Sequence, residues 1–278
     1  MSEYEYILEK ISNAEFNQEP FKHLYIEEFL SEEHYNLLVL NDEVNLPSFV
    51  STEKMLEKLT AIGYSAVAFP GCITDSRAYL NWYNSGLGSV PGHTHGLTEG
   101  FGMALRLQSP SDPNVVKLIQ FLNSQDFLGC LLDKFELTEE VYVETAIQKY
   151  LSGYEISPHP DVRKKCLTYM LNINPDKEME ELDIHTHLMS FTKEREWIKS
   201  EWATNTAKDR CWVPWSWAET NFLHTKNNSV CMFAPSNDTL HAVKLDYDHC
   251  KYQRTNVYGN LWYTDMKHRR PPTTWREL

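Results

Sequence analysis

The sequence has no Cys-x-x-Cys pair: its six cysteines, Cys72, Cys130, Cys166, Cys211, Cys231 and Cys250, stand far apart. That spacing argues against a zinc ribbon or a redox dithiol. A chain of 278 residues does not need disulfides to hold its core, so free, mostly buried thiols are expected. No apolar run approaches the ~20 residues of a membrane helix. The N-terminal MSEYEYILEK is acidic and lacks the basic-then-apolar order of a secretory signal. A soluble, cytoplasmic protein is the expectation. Positive charge is also scarce, with 26 Lys+Arg against 39 Asp+Glu and a net charge of -13. Such a field repels polyanions, so no nucleic-acid partner is expected, although Arg163–Lys165 and Lys267–Arg270 are locally basic.

What is present fits a filled globular core, with 42% hydrophobic and 13% aromatic residues. The first ~135 residues read mainly as helices and loops. Ser31 is placed to cap a helix to about Leu40, and Ser51 or Thr52 one carrying Met55, Leu56, Leu59 and Ile62. Pro113 opens another, and Ser124 caps one through Phe135. From about residue 142 short β-branched and aromatic runs take over, split by turn residues: QKYLSGYEI, CLTYMLNI, THLMSFT, CWVPWSW, SVCMFA, TLHAVKL and TNVYGNLWY. This pattern predicts a β-sandwich or jelly roll. TKEREWIKSEWA interrupts it as a short helix. A single domain is expected, with a mainly helical portion over 1–141 buttressing a β core over 142–278.

Within that β half lies His159-Pro160-Asp161. Residues at i and i+2 at a strand end point the same way. His241, after the turn signal PSND, opens a new apolar strand and can supply a third ligand. Two imidazoles and a carboxylate on one face of a metal form a facial triad, which favours Fe(II) and leaves positions for a cosubstrate and O2. His-x-Asp is a weak signal alone, and the bland alternative makes Asp161 a turn cap and His159 a loop residue. Thirteen residues after His241 comes Arg254, whose guanidinium fork suits the distal carboxylate of 2-oxoglutarate. Asn256 faces the same side of its strand.

With these elements in this order, the chain resembles the Fe(II)/2-oxoglutarate-dependent oxygenase superfamily, in its prolyl-hydroxylase-like and AlkB-like branches. The resemblance runs over about 142–263, with FKHLYIEEFLSEEHYNLL as a lead-in. YLSGYEISPHPD is similar to the family's Tyr, Gly turn, then His-x-Asp, and KKCLTYMLNIN to the strand that follows. The resemblance implies a mainly β fold with flanking helices, around a double-stranded β-helix (cupin-like) core. It implies Tyr150 and Gln148 beside the cosubstrate, and Asn172 where prolyl hydroxylases reach its distal carboxylate with a tyrosine. Asn260 stands where the AlkB pattern has its final arginine, and Asp161 rules out the His-x-Gly pattern of the halogenases. The implied activity hydroxylates a small molecule or amino-acid-like substrate while 2-oxoglutarate becomes succinate and CO2. Alternatives are a protein or peptide side-chain hydroxylase and a non-catalytic jelly-roll binding protein.

Other signals weigh less. His93 and His95, in the loop 83–105, read as exposed residues or a substrate lid; His185 and His187 read as ordinary strand residues. Trp197, Trp202, Trp212, Trp215 and Trp217 read as packing, and Asp176–Glu181 as a solvated loop. Substrate determinants are expected in 83–105 and 176–228.

Overall fold

The structure, a computed structural model, describes residues 3–86, 99–205 and 208–265. Among these, six helices precede residue 136: α1 (Tyr6–Asn13), α2 (Glu32–Val39), α3 (Thr52–Ile62), α4 (Ser76–Asn84), α5 (Pro113–Leu122) and α6 (Gln125–Phe135). Side-chain caps start most of them. Ser31 accepts from the His34 N–H, Ser51 from Lys54 and Ser124 from Phe127. Asp112 caps α5, with Pro113 in its first turn where a missing N–H costs nothing. One further helix, α7 (Trp197–Thr204), lies in the segment TKEREWIKSEWA.

The strands are β1 (Leu24–Ile26), β2 (Ser65–Ala66), β3 (Gly100–Phe101), β4 (Ala104–Leu107), β5 (Val141–Tyr150), β6 (Glu155–His159), β7 (Lys165–Asn172), β8 (Thr186–Phe191), β9 (Ala218–His224), β10 (Val230–Phe233), β11 (Leu240–Lys244) and β12 (Thr255–Tyr263). They form two antiparallel sheets. The larger runs β1-β10-β7-β12-β5-β4-β2 and the smaller β3-β6-β11-β8-β9. The protein is therefore mainly β with helices alongside.

One expectation needs correction and another needs an addition. The N-terminal portion, expected to be mainly helices and loops, also supplies short strands: β1 and β2 edge the larger sheet, β4 pairs with β5 inside it, and β3 edges the smaller one. These strands are two to four residues long, too short to show a period of two. CWVPWSW is no strand either: residues 211–214 run without regular structure into a 3-10 turn at Trp215–Trp217. Pro214 lacks the N–H a central strand needs.

Strand β7 is buried along its whole length, because both of its faces are covered. On one side Leu167, Tyr169 and Leu171 join Leu59, Val115, Phe127 and Leu131 of the helices in the main core. On the other, Met170 meets Leu188 of the smaller sheet together with Cys231 and Phe233. The helical side is held closely. A Cβ on Gly259 of β12 would lie 2.0 Å from the Tyr169 ring, and the Tyr169 hydroxyl is 2.5 Å from Thr145 Oγ1. Gly153, at the β5–β6 turn, has φ +79°, and a Cβ there would strike Trp82 at 2.5 Å. Only glycine meets both conditions. No helix among the described residues is long and apolar enough to cross a membrane.

Candidate metal centre

His159 ends β6, and His241 sits opposite it on β11. The register of this pair shifts between His241 and Val243, a bulge of the kind that re-aims side chains beside functional sites. The imidazole centroids are 4.2 Å apart. His159 Nδ1 lies 2.9 Å from the carbonyl of Ser157, and His241 Nδ1 3.1 Å from that of Thr239. A carbonyl only accepts, so each Nδ1 carries the proton and each Nε2 keeps its lone pair. Burial, reinforced by the neighbouring His159, pushes the His241 pKa down to about 3.

Both lone pairs face Asp161. Its Oδ1 is 3.7 Å from His159 Nε2 and its Oδ2 3.6 Å from His241 Nε2. These gaps are too long for hydrogen bonds yet short enough for one ion to reach all three groups. Asp161 stands just beyond β6 at φ +67°, a left-handed backbone that Asp tolerates better than most residues. Among the described residues, His159, Asp161 and His241 form the one group of three or more such side chains able to share an ion, with ligand atoms within 4.8 Å of one another.

Asp161 is held from behind. Lys165 Nζ donates to Oδ1 at 2.6 Å and Thr168 Oγ1 to Oδ2 at 2.7 Å. The same ammonium donates to the Tyr258 hydroxyl at 2.7 Å. Burial by itself would raise the Asp161 carboxyl, but the adjoining Lys165 ammonium opposes it, and the pKa lies well below the usual range. Burial likewise opposes the Lys165 charge, and Asp161 reverses that, leaving its pKa raised. The basic run Arg163–Lys165 is thus no surface patch. Arg163 is buried, bonded to the carbonyls of Lys208 and Trp202, and Lys165 serves the aspartate; of the three, only Lys164 is exposed.

These groups open on a cavity of about 290 Å³ between the sheets, which also reaches Tyr150, Gln148, Thr186 and Met170. Arg254, immediately before β12, is 3% exposed. Its Nη2 donates to Thr186 Oγ1 at 2.9 Å, and its guanidinium lies 4.3 Å from the centroid of the Tyr150 ring. Its Nη1 is buried with no hydrogen-bond partner, as is Nδ2 of Asn256. Buried donors left unpaired in this way are costly. Neither residue lines the cavity itself; Arg254 reaches its lining through Thr186 and Tyr150, and Asn256 through Tyr150. The Tyr150 hydroxyl donates to Asn256 Oδ1 at 3.4 Å.

The remaining candidates fall differently. Gln148 lines the cavity, but its Oε1 accepts both Nε (3.1 Å) and Nη2 (3.0 Å) of Arg106. Asn172 turns its amide N–H groups to the carbonyls of His224 and Lys226, away from the cavity. His185 bonds the Glu180 carbonyl and His187 the Thr220 hydroxyl, and neither joins the triad. His93 and His95 lie outside the described residues. Among the tryptophans, Trp202 packs in the core beside β8 and β11, whereas Trp197 is 58% exposed. The run Asp176–Glu181 is not simply solvated: it ends in a 3-10 turn that buries Met179, and Glu180 accepts from the Asn227 N–H. All six cysteines are free, three of them buried.

Sequence reasoning missed Lys165, Thr168, Tyr258, Thr186 and Arg106. Only the spacing of Lys165 and Thr168 after His-x-Asp could have flagged any of them.

No protein-family model matches the sequence, and no curated protein is similar to it. Among solved structures, a prolyl-4-hydroxylase of Pseudomonas putida is similar with a TM-score of 0.45 and 8% identity, covering 94% of this chain and 100% of that one. A prolyl hydroxylase of Trichoplax adhaerens, solved with a peptide fragment of the hypoxia inducible factor oxygen degradation domain, has a TM-score of 0.33 and 11% identity, covering 80% of this chain and 96% of that one. Neither likeness is strong enough to assign an activity.

Proposed function

We propose that the chain is an Fe(II)- and 2-oxoglutarate-dependent oxygenase on a double-stranded β-helix core, hydroxylating a small molecule or amino-acid-like substrate. The carrying observation is the convergence of two Nε2 lone pairs and one carboxylate on a single buried point, in a cavity whose lining residues Thr186 and Tyr150 touch an arginine with an unpaired donor. Two neutral imidazoles and a carboxylate suit Fe(II) and leave part of its coordination sphere open. When bound, iron with 2-oxoglutarate and O2 supplies the oxidising power, and succinate and CO2 are the by-products.

The chain's own groups hold and orient. His159, Asp161 and His241 would hold the ion, with the ring orientations fixed by Ser157 and Thr239. Arg254 Nη1 and Asn256 Nδ2 would take the distal carboxylate of the cosubstrate, beside the Tyr150 ring. Gln148 stays a cavity wall braced by Arg106, and Asn172 gives its amide N–H groups to the carbonyls of His224 and Lys226. A cavity of about 290 Å³ admits a small molecule or one side chain of a peptide. Its charged lining is largely paired, Lys165 with Asp161, Arg210 with Glu99 and Arg106 with Glu144, and Lys164 is the lining cation outside these pairs.

Anaerobic titration with Fe(II) and then 2-oxoglutarate tests the reading. A weak visible charge-transfer band should form in the wild type and be absent in His159→Ala. A wild type that gives no band with both added would overturn it.

A further inference from the structure

The Lys165 ammonium lies 2.6 Å from a carboxylate oxygen that the proposed centre assigns to the metal. Lys165 and Asp161 are nearly inaccessible, at 9% and 5% side-chain exposure, so water screens their attraction little. The lysine is fixed from several sides: its Nζ also donates to the Tyr258 hydroxyl and lies 5.6 Å from the centroid of the Trp262 ring. It lines the same cavity as His159 and His241. Asp161 accepts on both oxygens, from Lys165 on one and Thr168 on the other. The two partners differ in kind. Thr168 is neutral and only orients the carboxylate, whereas Lys165 brings a full charge of the same sign as any metal ion.

We propose that Lys165 is a resident placeholder cation, which satisfies Asp161 while the centre is empty and competes electrostatically with the metal that would bind there. Two consequences follow from one ion pair. The empty protein keeps a buried aspartate without metal, because the isolated charge it would otherwise carry is very costly. An arriving dication must share the carboxylate with a positive neighbour, so its affinity is held below what two imidazoles and a free carboxylate would give. Metal occupancy then follows supply, and Lys165 is a positioning residue that sets metal affinity. This rests on the metal-binding reading above.

The test is calorimetric titration of the purified full chain with Co(II) and with Mn(II), for wild type, Lys165→Met, Thr168→Val and His159→Ala. The melting temperature of each is taken with and without metal. Lys165→Met should bind both ions more tightly, by roughly tenfold for one removed like charge at partial screening. Its metal-free form should melt lower than wild type, and metal should raise its melting temperature by more. Thr168→Val, which loosens the carboxylate without changing charge, should bind less tightly. A merely structural lysine would make both variants weaker, and that result would overturn the proposal, as would unchanged affinity in Lys165→Met. If Lys165→Met does not fold alone, recovery of folding on adding Co(II) supports the proposal and failure to recover counts against it. A wild type that binds neither ion sinks the metal centre itself. Binding that is lost in His159→Ala but not tightened in Lys165→Met sinks only the placeholder role.

Discussion

His159 and His241 face each other across neighbouring strands with their ring centroids 4.2 Å apart, and each gives its Nδ1 to the carbonyl two residues before it. The backbone of each strand therefore sets the direction of its own imidazole. Both Nε2 atoms end up aimed at one carboxylate.

His159→Ala and Asp161→Asn should part company in the metal-free protein. Both remove a candidate ligand and should abolish measurable Co(II) binding. Asp161→Asn also leaves the Lys165 ammonium buried without its anion, which costs about 3–5 kcal/mol. Urea unfolding of the metal-free proteins should show Asp161→Asn clearly the less stable. Equal stabilities would mean that the ion pair contributes little.

Arg254→Ala should raise the 2-oxoglutarate concentration needed for half-maximal turnover at least tenfold. Mn(II) affinity should stay near the wild-type value, because Arg254 touches Thr186 and Tyr150 and none of the three candidate ligands. Parallel loss of both would mean that the arginine supports the whole cavity and not one carboxylate.

Gly259→Ala should lower the melting temperature. Its Cβ would fall 2.0 Å from a fully buried tyrosine ring that is itself tied to Thr145. Overpacking of this kind costs about 1–3 kcal/mol. Thermal unfolding checks it, and Gly129, where an added Cβ meets nothing within 4 Å, is the matched control.

Metal-free stability should fall as pH drops from about 6.5 toward 4. Burial pushes His224 down to about 3, and burial with His159 does the same for His241. Their ordinary value is 6.5, so between 6.5 and about 3 the unfolded chain binds protons that the folded chain does not. Stability is complete above 6.5 and is lost on the way down, at up to ~1.4 kcal/mol per pH unit for each such histidine. Urea unfolding of His224→Gln over that range should give a flatter slope than wild type. An identical slope would show that His224 is charged in the folded protein.

Helices α2, α3, α5 and α6 were legible because Ser31, Ser51, Pro113 and Ser124 act over three or four residues of chain, whereas α4, capped by Asp75, was not read. The long strands were legible for a similar reason, since β7 and β12 carry runs of β-branched and aromatic residues between turn signals. The segment around Trp212 and Trp215 has the same composition and no ladder, because composition does not reveal what Pro214 prevents. Strands β3 and β4 borrow their pairing from β6 and β5, and β2 borrows its own from β4, so nothing local announces them. In the candidate site, His159-x-Asp161 was readable from strand alternation, and His241 and Arg254 from their order along the chain. Lys165 was not: in an Arg-Lys-Lys run it looks like solvent-facing charge. Only the turn at Asp161 decides that Arg163 and Lys165 turn inward and Lys164 outward.

The interleaving of the N-terminal strands with the two sheets has a practical meaning for anyone cutting the chain. A break near residue 140 would strip β1 from β10, β4 from β5 and β3 from β6, baring both edges of the larger sheet and one of the smaller. The C-terminal piece would then carry all three candidate ligands and still be prone to self-association through those open edges. The halves should behave as complementing fragments, inert or aggregated apart and competent only when co-expressed. That makes the protein a candidate scaffold for a split reporter, and a poor one for trimming to a minimal domain.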